Sequence, residues 1–180
     1  TRNLTPAILS YSGIQYCYMA PDVFTQPALD YIQANLRILS GFYGILRPFD
    51  GIVPYRLEMQ ARLAVGQAKN LYAFWGDRLY QALTPRPEPI INLASQEYAK
   101  TIAPYLAPHQ SMIDIVFASF IDGKLKTKAT LAKMARGAMV RFLAEHQIDD
   151  VTAIRTFDHP DYRFDEKRST ANRFVFIYQH

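Results

Sequence analysis

The segment from Leu39 to Met59 constrains this chain more than any other. It holds three glycines (Gly41, Gly44, Gly51) and two prolines (Pro48, Pro54). Proline fixes φ and removes a backbone donor, while glycine permits conformations that other residues avoid. A regular helix or long strand cannot run through such a segment, so it must follow a defined irregular path. Arg47, Asp50, Arg56 and Glu58 are set in it among large apolar side chains. Charges in so apolar a stretch are paired, exposed in a cleft, or both. A site that grips an anion needs that combination; an ordinary surface loop does not.

Periodicity organises the rest. Ala7 to Tyr11 is expected to be a short buried strand, continued by Ile14 to Met19 after Gly13. Thr25 is expected to cap a helix with Pro27 in its first turn, and Leu29, Ile32, Leu36 and Leu39 recur at helical spacing up to Gly41. Asn70 is a cap for a second helix, with Leu71, Phe74, Trp75, Leu79 and Leu83 as its apolar stripe. Gly76 inside that helix points to a close approach. Pro85, Pro87 and Pro89 form a stiff connector, too short for a domain linker. Ile90 and Ile91 read as a buried strand leading to a helix near Ser95. Met112 to Ile121 reads as a strand, Asp122-Gly123 as a tight turn, and Lys124 to Ala129 as the returning strand. From Thr130 a helix follows with Leu131, Met134, Ala135, Ala138 and Phe142 inward, and Arg173 to Tyr178 is an aromatic-rich closing strand. This order predicts an α+β fold: one domain over 1–180, a mixed sheet with helices packed around it.

Charge is unevenly distributed. From Gly123 to Ala144 there are six basic residues and no acid; from Glu145 to Arg168 there are seven acids against four bases. Lys124, Lys126 and Lys128 alternate on one strand face, a pattern that also serves to block edge-to-edge association. Lys133, Arg136 and Arg141 fall within one broad helical sector and suit a phosphate backbone. Arg47, Arg56 and Arg62 form a second set, suited to phosphate or carboxylate, with Asp50 and Glu58 equally readable as their internal ion-pair partners. Asn92, Ser95 and Glu97 sit at a strand-to-helix junction. Capping explains Ser95 and Glu97, whereas Asn92 reads as a cleft-lining group.

Some chemistry is not readable. The single cysteine, Cys17, cannot form an internal disulfide, which suits a reducing compartment and a cytoplasmic location. No apolar run approaches the ~20 residues of a membrane helix, so no membrane partner is expected. His109, His146, His159 and His180 lie far apart, no nucleophile–base arrangement can be argued, and no metal or cofactor is expected.

Four segments, in order, resemble the bacterial peroxide stress protein YaaA family: Leu39 to Met59, Tyr72 to Asp77, Ile91 to Tyr98, and Ala132 to Phe142. A weaker match runs from Tyr162 to Phe176. The resemblance implies a role in surviving oxidative stress, a mixed helix–sheet fold, and non-specific binding of DNA, duplex or junction, through a positively charged cleft. Carried onto this sequence, Arg47, Arg56, Lys133, Arg136 and Arg141 would contact nucleic acid, with Asp50, Glu58, Asn92 and Glu97 lining the cleft. Family members carry a segment before the point matched by Thr1, so a truncated N-terminus is expected, with the family's helix-hairpin-helix in that segment and an apolar patch left uncovered. Ile14 stands where the family usually has an acid. The alternative function is an enzyme acting on a phosphorylated or nucleic-acid substrate in the same cleft. No catalytic constellation decides for it.

Overall fold

The structure is a computed structural model that describes residues 4–83 and 87–179. In chain order its elements are strand β1 (Thr5–Pro6), helices α1 (Ala7–Ser10), α2 (Ile14–Met19) and α3 (Gln26–Asn35), strands β2 (Ile38–Ser40), β3 (Gly44–Leu46) and β4 (Gly51–Ile52), helices α4 (Leu71–Trp75) and α5 (Arg78–Ala82), strand β5 (Ile90–Asn92), helix α6 (Gln96–Ala99), strands β6 (Met112–Ile121) and β7 (Lys124–Lys126), helix α7 (Ala129–Glu145), and strands β8 (Tyr162–Phe164) and β9 (Arg173–Tyr178). The fold is α+β, as the order of sequence patterns predicts. Contacts divide it into two compact units. One joins the residues up to Ser10 to Leu36–Met112; the other joins Tyr11–Asn35 to everything from Ile113 on.

The first unit is built of short elements around a small core. Met59, Leu71, Leu79, Tyr80 and Ile102 are its buried centre, with Leu39, Leu57, Trp75, Ile90 and Tyr98 packed against them. β1 pairs antiparallel with β4, and β2 with β3. Ala7 to Tyr11, expected as a buried strand, is not strand: the chain enters helix α1 immediately after Pro6. The Ser10 hydroxyl donates to the Pro6 carbonyl at 3.0 Å, a local bond that favours the helical turn. Asn70 caps α4 as predicted, its Oδ1 accepting from the Ala73 N–H at 2.8 Å. The expected single helix is broken at Gly76, which has φ 51° and ψ −134°. A Cβ there would meet nothing within 4 Å, so the glycine serves backbone conformation and no close approach. Pro85 lies outside the described residues.

The second unit carries the mixed sheet. β6 and β9 run parallel, from Asp114 opposite Arg173 to Ala118 opposite Ile177, while β8 lies antiparallel on the other side of β9. Flanked on both sides, β9 is the centre of this core: Phe174, Val175 and Phe176 are at most 1% exposed. β7 returns antiparallel on the far end of β6, through Asp122 and Gly123 at φ 53° and 70°. Two successive positive φ values match the hairpin twist, which explains why Asp-Gly occupies this turn. The return strand ends at Lys126, three residues earlier than expected, because α7 begins at Ala129.

Helix α7 is the second layer. Its buried positions are Ala132, Ala135, Gly137, Met139, Val140 and Ala144, so the inward stripe is rotated from the expected one and only Ala135 is common to both. The cause is the partner. α2, expected as strand, is a helix capped by Gly13 that packs closely on α7. Gly137 of α7 faces it, while Phe142 meets Phe157 edge-on at 5.4 Å, and Phe157 in turn meets Phe176 of β9 at 5.7 Å. α3 stops at Asn35, whose Nδ2 donates back to the Tyr31 carbonyl, and Leu39 belongs to β2.

Candidate anion-binding site

In the first unit the signature segment forms a clasped hairpin. β2 and β3 are its arms, and residues 41–43 its tip. The Ser40 side chain is buried and satisfies the tip: its Oγ accepts from the backbone N–H of Phe42 at 3.2 Å and of Tyr43 at 2.9 Å, and pairs with the Tyr55 hydroxyl at 2.5 Å. The Tyr43 hydroxyl bridges the Val53 N–H and carbonyl. The Trp75 indole N–H donates to the Gly41 carbonyl at 3.0 Å. Gly41 and Gly44 are needed here: a Cβ on Gly41 would sit 2.8 Å from the Leu57 carbonyl oxygen, and one on Gly44 would sit 2.8 Å from the Trp75 ring. Three of the four matched segments are therefore knitted together by direct contacts, since Tyr72 also donates to the Glu97 carbonyl at 3.0 Å.

The acids in this unit have structural uses. The Asp50 carboxylate accepts from the Arg47 backbone N–H at 2.7 Å and closes the turn through Pro48, so it is not spent on the guanidinium. The Arg47 side chain is exposed. Glu58 pairs with Arg56 at 3.4 Å, with both side chains well exposed; such a pair contributes under ~1 kcal/mol. Ser95 occupies the cap position of α6 but makes no cap bond. Glu97, expected to complement the dipole of α6 and, by the family resemblance, to line the cleft, accepts from the Gln60 N–H at 3.1 Å and holds the segment after the signature. Asn92 Oδ1 accepts from the Ala94 N–H at 3.0 Å, a local turn at the end of β5. Tyr98, beside these groups, has its phenol pushed up to about 12, by burial first and then by the charge of Glu97 and the neighbouring Tyr55. Arg62, grouped with Arg47 and Arg56 in the sequence, lines a separate cavity of ≈ 430 Å³ with Gln60, Lys69 and Asn70.

In the second unit the basic residues of β7 and α7 divide into two kinds. Arg141 is held by Glu145 one turn on, at 2.8 Å, and Lys126 by Asp122 at 3.8 Å. Lys133 is exposed and Arg136 half-buried, and neither makes an ion pair among the described residues. Arg136 Nε is buried and has no hydrogen-bond partner. Burial, with no compensating charge, holds its guanidinium below the ordinary arginine range. The residue immediately precedes Gly137, where α2 and α7 make their closest approach. Sequence spacing groups Lys133, Arg136 and Arg141 together; it could not distinguish the one that is neutralised from the one that is desolvated. Arg47 and Arg56 belong to the first unit, and Lys133 and Arg136 to the second. Among the described residues there is no cluster of His, Cys, Asp and Glu that could hold a metal ion, and no helix is long and apolar enough to cross a membrane.

Fold and site together define an α+β protein with a clasped aromatic hairpin in one unit and a desolvated, unpaired arginine on the main helix of the other. A sequence model of the family described as peroxide stress protein YaaA matches residues 1–168, and the chain belongs to that family. It is similar to UPF0246 proteins of several bacteria. It is 98% identical over 180 residues to the one from Lactiplantibacillus plantarum, covering all of this chain and 73% of that protein. It is 60% identical over 177 residues to that of Lacticaseibacillus paracasei, covering 98% of this chain and 72% of the relative. The Desulfitobacterium hafniense protein is 52% identical over 173 residues, covering 96% and 69%.

Proposed function

We propose that this chain serves peroxide defence by binding DNA, duplex or junction, non-specifically through its basic side chains, with Lys133 and Arg136 as the principal contacts on α7. The observation that carries the reading is Arg136. A guanidinium with a buried, unpartnered Nε costs stability, of order 1–3 kcal/mol for an unmade bond to a buried donor. An approaching phosphate would supply the missing charge to the part of the half-buried guanidinium that solvent reaches. Lys133, one turn earlier and exposed, adds a point charge for the same backbone. Arg47 and Arg56 are exposed and offer phosphate contacts from the other unit. Arg141 contributes less, because Glu145 already holds it. A DNA-binding role places the protein in the cytoplasm, and the single exposed Cys17 suits that reducing compartment.

The test is a duplex-DNA titration across salt concentrations. Each phosphate contact contributes ~0.9 to the slope of log affinity against log salt. Arg136→Ala should lower affinity uniformly across sequences and reduce that slope by roughly one unit. Arg141→Ala should change it less. Equal binding by the parent and by the combined Lys133→Ala, Arg136→Ala variant at every salt concentration would show α7 to be a solvated face.

A second reading has its own support. The paired hydroxyls of Ser40 and Tyr55 lie within electrostatic reach of the high-pKa Tyr98, which Glu97 also influences, a polar arrangement that an enzyme on a phosphorylated substrate would also use. Release of phosphate or cleavage of labelled DNA by the parent, lost in Tyr55→Phe, would favour this second reading.

A further inference from the structure

We propose that the stacked pair of Phe42 and Tyr55 is a platform for an unpaired nucleobase, which would give this chain a preference for single-stranded or opened nucleic acid. This rests on the nucleic-acid reading above and adds to it a ligand and a site. Phe42 is 55% exposed at the tip of the hairpin. An exposed phenyl ring is ordinarily mobile, but this one is held. Its backbone N–H is fixed by Ser40, and its ring lies on Tyr55 with centroids 5.3 Å apart and planes 28° from parallel. Tyr55 is itself fixed by its hydroxyl bond to Ser40 and by the edge of Tyr43 at 5.3 Å. The preceding Gly41 carbonyl is tied to Trp75. Tyr43 also meets the Phe42 ring edge-on at 4.9 Å, so the part of the ring left exposed is an apolar surface of fixed orientation.

Charge complementarity identifies the occupant. Arg56 follows Tyr55 directly, with its side chain 92% exposed and only a loose contact to Glu58. An aromatic face next to an extended guanidinium is the combination that holds single strands, base on ring and phosphate on cation. A protein partner would have no need of the cation, and a duplex end offers no free base along its length. The stacking is sequence-tolerant, since every base has a π-face.

The experiment uses the whole chain and a labelled oligothymidylate, with a blunt duplex of equal length and free thymidine monophosphate as the other arms, at one fixed salt concentration. Phe42→Ala should weaken oligothymidylate binding by roughly 5- to 100-fold while leaving duplex binding within about twofold. Phe42→Leu, which keeps the bulk, should weaken it nearly as much. Phe42→Trp should retain binding and show fluorescence quenched by the oligonucleotide. Because Phe42 is more than half exposed and loses only its ring contacts, these variants should melt within about 6 °C of the parent. Equal loss on duplex and single strand, or no loss on either, overturns the platform and leaves the DNA-binding reading standing. Binding of thymidine monophosphate as tight as that of the oligonucleotide overturns the strand as occupant. A parent that binds neither form of DNA overturns both.

Discussion

Gly137 lies so close to α2 that a Cβ built on it would stand 2.1 Å from the Gln15 carbonyl oxygen. The neighbour is backbone, which cannot rotate aside. The whole helix pair must separate to admit one methyl group, and with it the placement of Arg136.

Gly137→Ala should therefore destabilise the protein by about 3 kcal/mol, at the upper end for an overpacked site. Gly123→Ala is the control: its Cβ would meet nothing within 4 Å, but φ is +70°, so a loss of only about 1 kcal/mol is expected. Urea unfolding of both variants checks the difference. Similar midpoints would mean that the α2–α7 contact yields easily.

The hairpin clasp makes a different prediction. Trp75→Phe keeps an aromatic ring but leaves the Gly41 carbonyl without its donor, and should cost roughly 1–3 kcal/mol. Gly44→Ala should cost at least as much, because φ is +81° and the new methyl would meet the Trp75 ring. Near-ultraviolet circular dichroism reports it directly, since Trp75 is the sole tryptophan. An unchanged tryptophan band in Gly44→Ala would show the clasp to be loose.

Asn70→Ala should remove about 1 kcal/mol, the ordinary value of a lost N-cap, since it deletes the acceptor for the Ala73 N–H. Asn70→Asp keeps that acceptor and should fall within about 0.5 kcal/mol of the parent. Thermal melts of the pair decide the matter.

Alkaline pH should unfold the protein through its buried phenols. Tyr98 and Tyr162 are each raised from 10.0 to about 12, in both cases by burial first. The second cause is Glu97 for Tyr98 and Tyr178 for Tyr162. A raised folded pKa means that the unfolded chain gives up its proton first. Stability is therefore full below pH 10 and falls as the pH climbs to about 12. Tyr98→Phe should flatten that decline, and phenolate absorbance should show a late-titrating group missing. A decline of equal steepness in the variant would assign the effect to other tyrosines.

Much of the larger architecture was legible in the sequence. The strand Met112–Ile121, its Asp-Gly turn and the strand Arg173–Tyr178 emerge where alternation and turn chemistry place them, because both signals are local. Ile14–Met19 was illegible for the opposite reason. Its six residues have no decisive period, and it is helical because Gly137, more than a hundred positions away, leaves room for it. The same partner rotates the buried stripe of α7. In the candidate site, the sequence located the charged residues but not their employment. Asp50, Asn92 and Glu97 all bond to backbone N–H groups, and an acceptor's partner cannot be read from spacing. Arg136 and Arg141 look alike in the chain and differ only in what the fold places beside them.

The interleaving of the two units bears on synthesis. α2 and α3 are complete at Asn35, yet their partner α7 does not begin until Ala129. Roughly a hundred residues, mostly those of the other unit, are made in between, which at ~5–20 residues per second is on the order of ten seconds. Through that interval the faces of α2 and α3 that pack on α7 lack that partner. Chaperones that hold nascent chains would then meet this protein at α2 and α3, and slowing translation between Leu36 and Met112 would lengthen that exposure without altering the finished fold.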